Sequence, residues 1–296
     1  MKILLFGCKD TTLHIARYLN ELGVEIALVS ISSEIAKKAD VAGYVDLADH
    51  SNLFRSIYHA KSYSLKHLLD VELFEKHDYS VGLCIGWQRL LPDYVLDRFS
   101  VGVFGMHGST RNLPFGKGRS PMNWSIIENR RWFTTNLFKY ESGIDNGAVV
   151  GSLTFSINKS DTAETLHYKN TLSMCTIVQS NLQNLLGGNI TVSEQDISEG
   201  ETFYPKRSPL DGVIDWRDDI FSIERLVRAV SPPFYGAVVY IGDEEFRIFR
   251  ASVFYTDLER HPFLSANFGE VLEVFPSNKF LVRCSGGVLI VHEHDR

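Results

Sequence analysis

The sequence has 296 residues, more than the roughly 100 to 200 of one ordinary domain, which favours two domains and leaves one large α/β domain allowed. An apolar fraction of 44% and a charged fraction of 22% are those of a folded chain, and no low-complexity tract or single-sign charge block points to disorder. Thirty Lys plus Arg against 36 Asp plus Glu give a formal charge of -6, the wrong sign for broad attraction to a phosphate backbone, so nucleic acid is disfavoured as a partner.

The chain opens on a short apolar run at residues 2–6, closed by Gly7. A helical pattern follows from about Thr11 to Leu22, then a second apolar run from Val24 to Ser30, which together predict a β-α-β start. Gly7 stands alone rather than in a glycine-rich fingerprint, so an open sheet is expected without a nicotinamide or flavin cofactor. The apolar start stops at Gly7-Cys8-Lys9-Asp10, short of a secretion-signal core, and nothing reaches membrane-spanning length. A cytoplasmic protein with no membrane partner is the default expectation. The cysteines Cys8, Cys84, Cys175 and Cys284 lie far apart, mostly in apolar runs, and read as buried reduced thiols with no metal.

Further strands are predicted at Ser80 to Ile85 and Val101 to Met106, with a short helix at Pro92 to Leu96 between them. The second of these strands runs straight into His107. Pro121 opens a helix through about Glu128, and Thr134 to Tyr140 and Val149 to Ile157 read as strands around the turn Gly143-Ile-Asp145-Asn-Gly147. A long helix from about Thr162 to Leu186 ends at Gly187-Gly188. Residues 187–212 are polar and rich in turn formers, which places a catalytic domain at 1–190, a linker at 191–203 and a C-terminal domain at 204–296. That last part shows one helix, Ile223 to Val230, and five short strands at Gly236 to Ile241, Phe246 to Phe254, Gly269 to Phe275, Phe280 to Cys284 and Val288 to Val291. It reads as a small antiparallel β-barrel.

Open α/β sheets carry their sites beyond the carboxyl ends of the strands, where both His107 and the loop of Asp145 are expected. From spacing alone, His107 is also an ordinary polar residue at a strand end, and Asp145 an ordinary turn former. Trp124 and Trp132 read as packing residues, and His292 and His294 as exposed residues of the tail.

Three segments taken together carry more: Phe104-Gly-Met-His-Gly-Ser109, Lys117-Gly-Arg-Ser-Pro-Met-Asn-Trp124 and Ser142-Gly-Ile-Asp-Asn-Gly147. In order and interval they resemble the formyltransferase family, which shares an Asn-x-His strand end, a loop leading to Arg-Gly-x-x-Pro and a later Gly-x-Asp-x-Gly. The likeness continues through Tyr204-Pro-Lys-Arg-Ser-Pro209, Ile214-Asp-Trp216 and Pro232-Pro-Phe-Tyr-Gly-Ala237, so it covers nearly the whole chain. Within the family the wording is closest to the sugar N-formyltransferases, in particular the domain acting on UDP-4-amino-4-deoxy-arabinose.

The resemblance implies a Rossmann-like open-sheet formyltransferase domain followed by a small OB-like antiparallel barrel. It implies 10-formyltetrahydrofolate as donor, with no metal, and His107 and Asp145 as the catalytic pair. The donor would be held by Arg89, Leu90, Leu91, Arg119 and the loop Glu141, Ser142, Gly143, Ile144. Gly108, Ser109 and Lys117 are weaker candidates for contact with the acceptor. Where the family has Asn, this chain has Gly105, and the segment from His107 to Pro114 is about two residues longer than usual. The oxyanion donor is thus open between a backbone amide, a water, Ser109 and protonated His107.

In the reaction so implied, an amine attacks the formyl carbon, negative charge develops on oxygen and a proton leaves nitrogen. Histidine is the side chain whose ordinary titration suits that proton exchange, and a neighbouring carboxylate would orient its ring. The expected acceptor is a nucleotide-linked amino deoxysugar of surface-glycan biosynthesis. Two alternatives stand beside it: a methionyl-tRNA formyltransferase, with tRNA as partner, and a non-catalytic protein binding folate or a nucleotide sugar. The resemblance also allows a homodimer.

Overall fold

In the computed structural model the described residues are 2–241, 244–256 and 262–295. The chain divides into two compact units. One holds the residues up to Lys117 with Thr134–Phe155 and Lys169–Phe203; the other holds Gly118–Phe133, Ser156–Tyr168 and the chain from Tyr204 on.

The first unit is built on β1 (Lys2–Phe6), α1 (Asp10–Glu21), β2 (Glu25–Ile31), α2 (Ser33–Lys38), β3 (Ser56–Ala60), α3 (Leu68–Glu75), β4 (Tyr79–Cys84), α4 (Asp93–Leu96) and β5 (Phe99–Ser109). After β5 come the two-residue β6 (Lys117–Gly118), α5 (Pro121–Ile127), β7 (Trp132–Lys139), β8 (Val149–Ser156) and the long α6 (Ala163–Gly187). Seven strands form one sheet in the order β3-β2-β1-β4-β5-β7-β8, with β3, β2, β1, β4 and β5 joined in parallel and β7 antiparallel to β5. The expected Rossmann-like α/β sheet is therefore present.

Local sequence explains these elements. Four of the five residues of β1 are buried, as both faces of a central parallel strand require. Ile15, Ala16 and Leu19 give α1 its buried stripe, and the helix stops where Gly23 takes a φ of 75°. One core, with Ile3, Leu5, Leu83, Ile85 and Phe104, packs under α1 and α6; the other, with Leu4, Phe6, Cys84 and Val103, packs under α2, α3 and α4. All four cysteines are buried and free.

The stretch between β2 and β4 carries elements that periodicity did not reveal, namely α2, β3 and α3. Their anchor is Asp70, fully buried at 0% exposure and satisfied by the amides of Lys61 (2.7 Å) and Ser62 (3.0 Å), the Ser62 hydroxyl (3.1 Å) and the Tyr58 hydroxyl (2.8 Å). A carboxylate so surrounded is tolerable in a core because every donor is aimed at it.

After the two-residue β9 (Phe203–Tyr204), the second unit's later part contains α7 (Ile220–Val230), β10 (Ala237–Ile241), β11 (Glu244–Tyr255), β12 (Val271–Val274), β13 (Phe280–Cys284) and β14 (Gly287–His294). Strands β10 to β14 make a five-stranded antiparallel sheet in the order β10-β11-β14-β13-β12, with β10 and β12 at its edges among the described residues. Asp219 caps α7 by accepting from the amides of Phe221 and Ser222, and Ile223, Val227 and Val230 bury its apolar face.

Two sequence expectations change here. His292 and His294 are not tail residues: both lie on β14, where His292 Nε2 meets the Ser252 hydroxyl at 2.7 Å and His294 Nε2 donates to the Asn278 carbonyl at 3.0 Å. Trp132 is not a packing residue but 57% exposed. Trp124 does pack, stacked on Tyr204 with ring centroids 6.2 Å apart.

Candidate active site

Strand β5 does not stop before His107, as the apolar run suggested, but continues through it to Ser109 because β7 supplies a pairing edge there. His107 lies opposite Asn136, whose side-chain amide donates to the His107 carbonyl at 3.4 Å. The imidazole is thus carried on a rigid strand, buried at 8% exposure.

Asp145 sits in the loop after β7 with a φ of 51°, a left-handed conformation that aspartate tolerates better than most residues. Its carboxylate Oδ2 stands 3.3 Å from His107 Nδ1. On the other side of the ring, Nε2 donates to the Gly116 carbonyl at 2.8 Å. A carbonyl only accepts, so Nε2 carries hydrogen, and Nδ1 is the ring nitrogen that faces Asp145.

Glycines make the Asp145 loop feasible. A Cβ on Gly147 would lie 1.7 Å from the Lys139 carbonyl oxygen, and one on Gly143 would lie 2.2 Å from Asn146 Nδ2. The loop is tied further by Gln195, whose amide donates to the carbonyls of Asp145 (2.7 Å) and Gly147 (2.8 Å).

Gly105 also acquires a physical reason. A Cβ there would fall 1.9 Å from Cε2 of Tyr140, so the tyrosine ring occupies the space that a larger residue at this position would need. Burial, the Cys84 thiol and the Asp145 carboxylate push the Tyr140 hydroxyl well above its ordinary value, which keeps it an O–H.

The remaining sequence candidates separate. The Ser109 hydroxyl, fully buried at 0% exposure, donates to the Phe115 carbonyl at 2.7 Å; it is engaged, which removes it from the choice of oxyanion donors. Gly108 is buried on β5 opposite Thr135. Arg89 is exposed, with its guanidinium 5.1 Å from the Tyr63 ring centre. Leu90 is exposed, whereas Leu91 is a core residue. Glu141, Ser142 and Ile144 are exposed on the Asp145 loop, and Gly143 is half-buried there. Arg119 belongs to the second unit, where it is exposed and its amide donates to the Tyr204 carbonyl at 2.9 Å. Lys117, a weaker candidate for contact with the acceptor, is 2% exposed, with its ammonium donating to Asn146 Oδ1 (2.8 Å) and Glu201 Oε2 (2.7 Å).

Residues that sequence reasoning did not single out complete the site: the Gly116 carbonyl, Asn146, Gln195, Glu201, Thr202 and Tyr140. Asn146 could have been suspected from its place beside Asp145. Gln195, Glu201 and Thr202 had no signal, because a polar stretch rich in turn formers reads as a connection. Among the described residues, no group of three or more His, Cys, Asp and Glu is placed to hold a metal, and no helix is long and apolar enough to cross a membrane.

Residues 1–173 match the family described as formyl transferase, and residues 206–296 match the formyl transferase C-terminal domain. The chain belongs to the formyl transferase family. Its two sheets match that family's fold. HypX from Aquifex aeolicus, solved with tetrahydrofolic acid, superposes with a TM-score of 0.69 at 18% identity, covering 99% of this chain; this chain spans 44% of HypX. An N-formyltransferase from Helicobacter canadensis, solved with folinic acid and dTDP-3-aminofucose, gives a TM-score of 0.70 at 17% identity and covers both chains fully at 100%. Methionyl-tRNA formyltransferase from Clostridium thermocellum gives 0.59 at 18% identity, covering 85% of this chain and 93% of that one.

Proposed function

We propose that this formyltransferase moves the formyl group of 10-formyltetrahydrofolate to the amine of a nucleotide-linked amino deoxysugar. The observation that carries the reading is the His107–Asp145 contact of 3.3 Å at the end of β5, held from its far side by the Gly116 carbonyl. A neutral amine attacks the formyl carbon, and the tetrahedral intermediate carries negative charge on oxygen. The His107–Asp145 pair takes the proton lost by the amine, shares it between Nδ1 and Oδ2, and returns it to the departing N10 of tetrahydrofolate. At 3.3 Å the contact is long for a hydrogen bond, and catalytic contacts commonly tighten when substrate fills the site.

The donor is assigned to the exposed turn Arg89-Leu90, with Leu91 fixing it to the core, and to the exposed loop Glu141 to Ile144. Arg119 offers a planar cationic fork suited to a carboxylate. Gly108 contributes only backbone. The acceptor class is supported by the full-length likeness to the Helicobacter canadensis enzyme and by the charge of -6, which does not favour tRNA. The match of residues 206–296 to the family's C-terminal domain favours the second reading, methionyl-tRNA formylation. An assay of tetrahydrofolate release with a panel of amino-sugar nucleotides and with charged initiator tRNA decides between them, and mass spectrometry of the product identifies the formylated amine. Turnover with tRNA alone would discard the sugar reading.

A further inference from the structure

Lys117 is an ammonium placed almost wholly out of water, at 2% exposure, in a chain whose other lysines have no such burial. A buried cation needs partners for its charge and its hydrogens. Its partners are Asn146 Oδ1 at 2.8 Å, Glu201 Oε2 at 2.7 Å and the face of Phe203, whose centre lies 5.8 Å from Nζ. The backbone on either side is equally engaged. The Lys117 amide donates to the Thr202 carbonyl at 2.9 Å, and the Gly116 amide donates to the Thr202 hydroxyl at 2.8 Å.

These contacts close a ring around the candidate pair. His107 donates to the carbonyl of Gly116, Gly116 precedes Lys117, the Lys117 ammonium holds Asn146, and Asn146 follows Asp145, whose carboxylate faces His107. The segment from Gln195 to Thr202 fastens this ring twice more, through Gln195 to the Asp145 and Gly147 carbonyls and through Glu201 to the ammonium.

We infer that Lys117 is a positioning residue that sets the distance between His107 and Asp145, and that the segment Gln195–Thr202 is part of the catalytic site rather than a passive connection. This rests on the reading of His107 and Asp145 as the catalytic pair. Lys117 acts by fixing the carbonyl on one side of the imidazole and the loop on the other. A displacement of about 1 Å in such a pair costs on the order of 100-fold in rate.

The test uses the whole 296-residue chain. Lys117→Met combined with Glu201→Gln removes the buried ammonium together with its exposed carboxylate partner and leaves no unpaired buried charge, so the fold survives. Its kcat for tetrahydrofolate release falls about 100-fold with KM changed less than about threefold, and its melting temperature stays near that of the parent. Asn146→Ala, at an exposed position, lowers kcat about tenfold by cutting only the link to the Asp145 loop. The imidazole nitrogen resonances of His107 in the substrate-free protein shift in both variants. Unchanged kcat with unchanged His107 resonances overturns the inference, and so does a loss of kcat matched by an equal loss of folded protein. If His107→Ala kept full turnover, the catalytic reading of the pair would fall, while the His107 resonances would still report whether Lys117 sets its surroundings.

Discussion

Strands β6 and β13 each bury a cation, and the two are used differently. Lys117 reaches away from its own strand to a loop 29 residues on and a segment 84 residues on. Arg283, at 7% exposure, turns back on its own hairpin, donating to the Cys284 carbonyl and, at 2.8 Å, to the Gly287 carbonyl, with its guanidinium 5.2 Å from the Phe268 ring centre. The first arrangement joins segments that sequence separates, and it does so beside His107 and Asp145. The second closes a local turn. A buried charge alone therefore says little about function; what its partners hold together says more.

The largest effect expected from breaking this contrast lies on the site side. His107→Ala lowers kcat/KM about 1000-fold with the melting temperature nearly unchanged, the scale of losing a positioned acid-base group. Steady-state kinetics with the best acceptor check it, and wild-type turnover would sink the assignment. On the hairpin side, Arg283→Met leaves two turn carbonyls without their donor and destabilises by about 3 kcal/mol. Urea unfolding measures that loss. A fall in kcat of the folded protein comparable with that of His107→Ala would abolish the distinction between the two regions.

Much of the first region is legible in the amino-acid sequence alone. The β-α-β opening, the strand leading to His107 and the glycine-flanked Asp145 follow from periodicity and turn chemistry. What could not be read was of one kind: contacts between segments far apart in sequence. Lys117 reads as a weak candidate for acceptor contact, residues 191–203 look like a linker, and nothing near Gly105 names Tyr140 as the group above it. Periodicity reports which face a residue presents, not which distant side chain fills the space opposite.

Gly105 allows a sharper test of that point. Gly105→Ala places a methyl 1.9 Å from the Tyr140 ring, and the crowding destabilises by about 2 kcal/mol, the scale of an overpacked core. Paired with Tyr140→Ala, the same change has little further cost, and a double-mutant cycle reads the coupling directly. Independent, additive effects would show that the ring does not decide this position.

The smallest effect belongs to the second region and is a matter of pH. Burial, with Arg250 and Lys279 nearby, pushes His292 below its ordinary value of 6.5, against a weaker pull from Glu293. The folded state thus disfavours protonation more than the unfolded chain does. The stability this gives is present above the unfolded value and is lost as pH falls from about 6.5 through the lower folded value. His292→Gln, which still offers a partner to the Ser252 hydroxyl, does not titrate. The difference in unfolding free energy between parent and variant should then be constant from pH 8 to 7 and shift in the variant's favour on acidification. A parallel pair of stability curves down to pH 5 would assign the acid sensitivity to other groups. It would also leave the β11–β14 contact as packing and a hydrogen bond alone, the same local kind of tie that Arg283 makes.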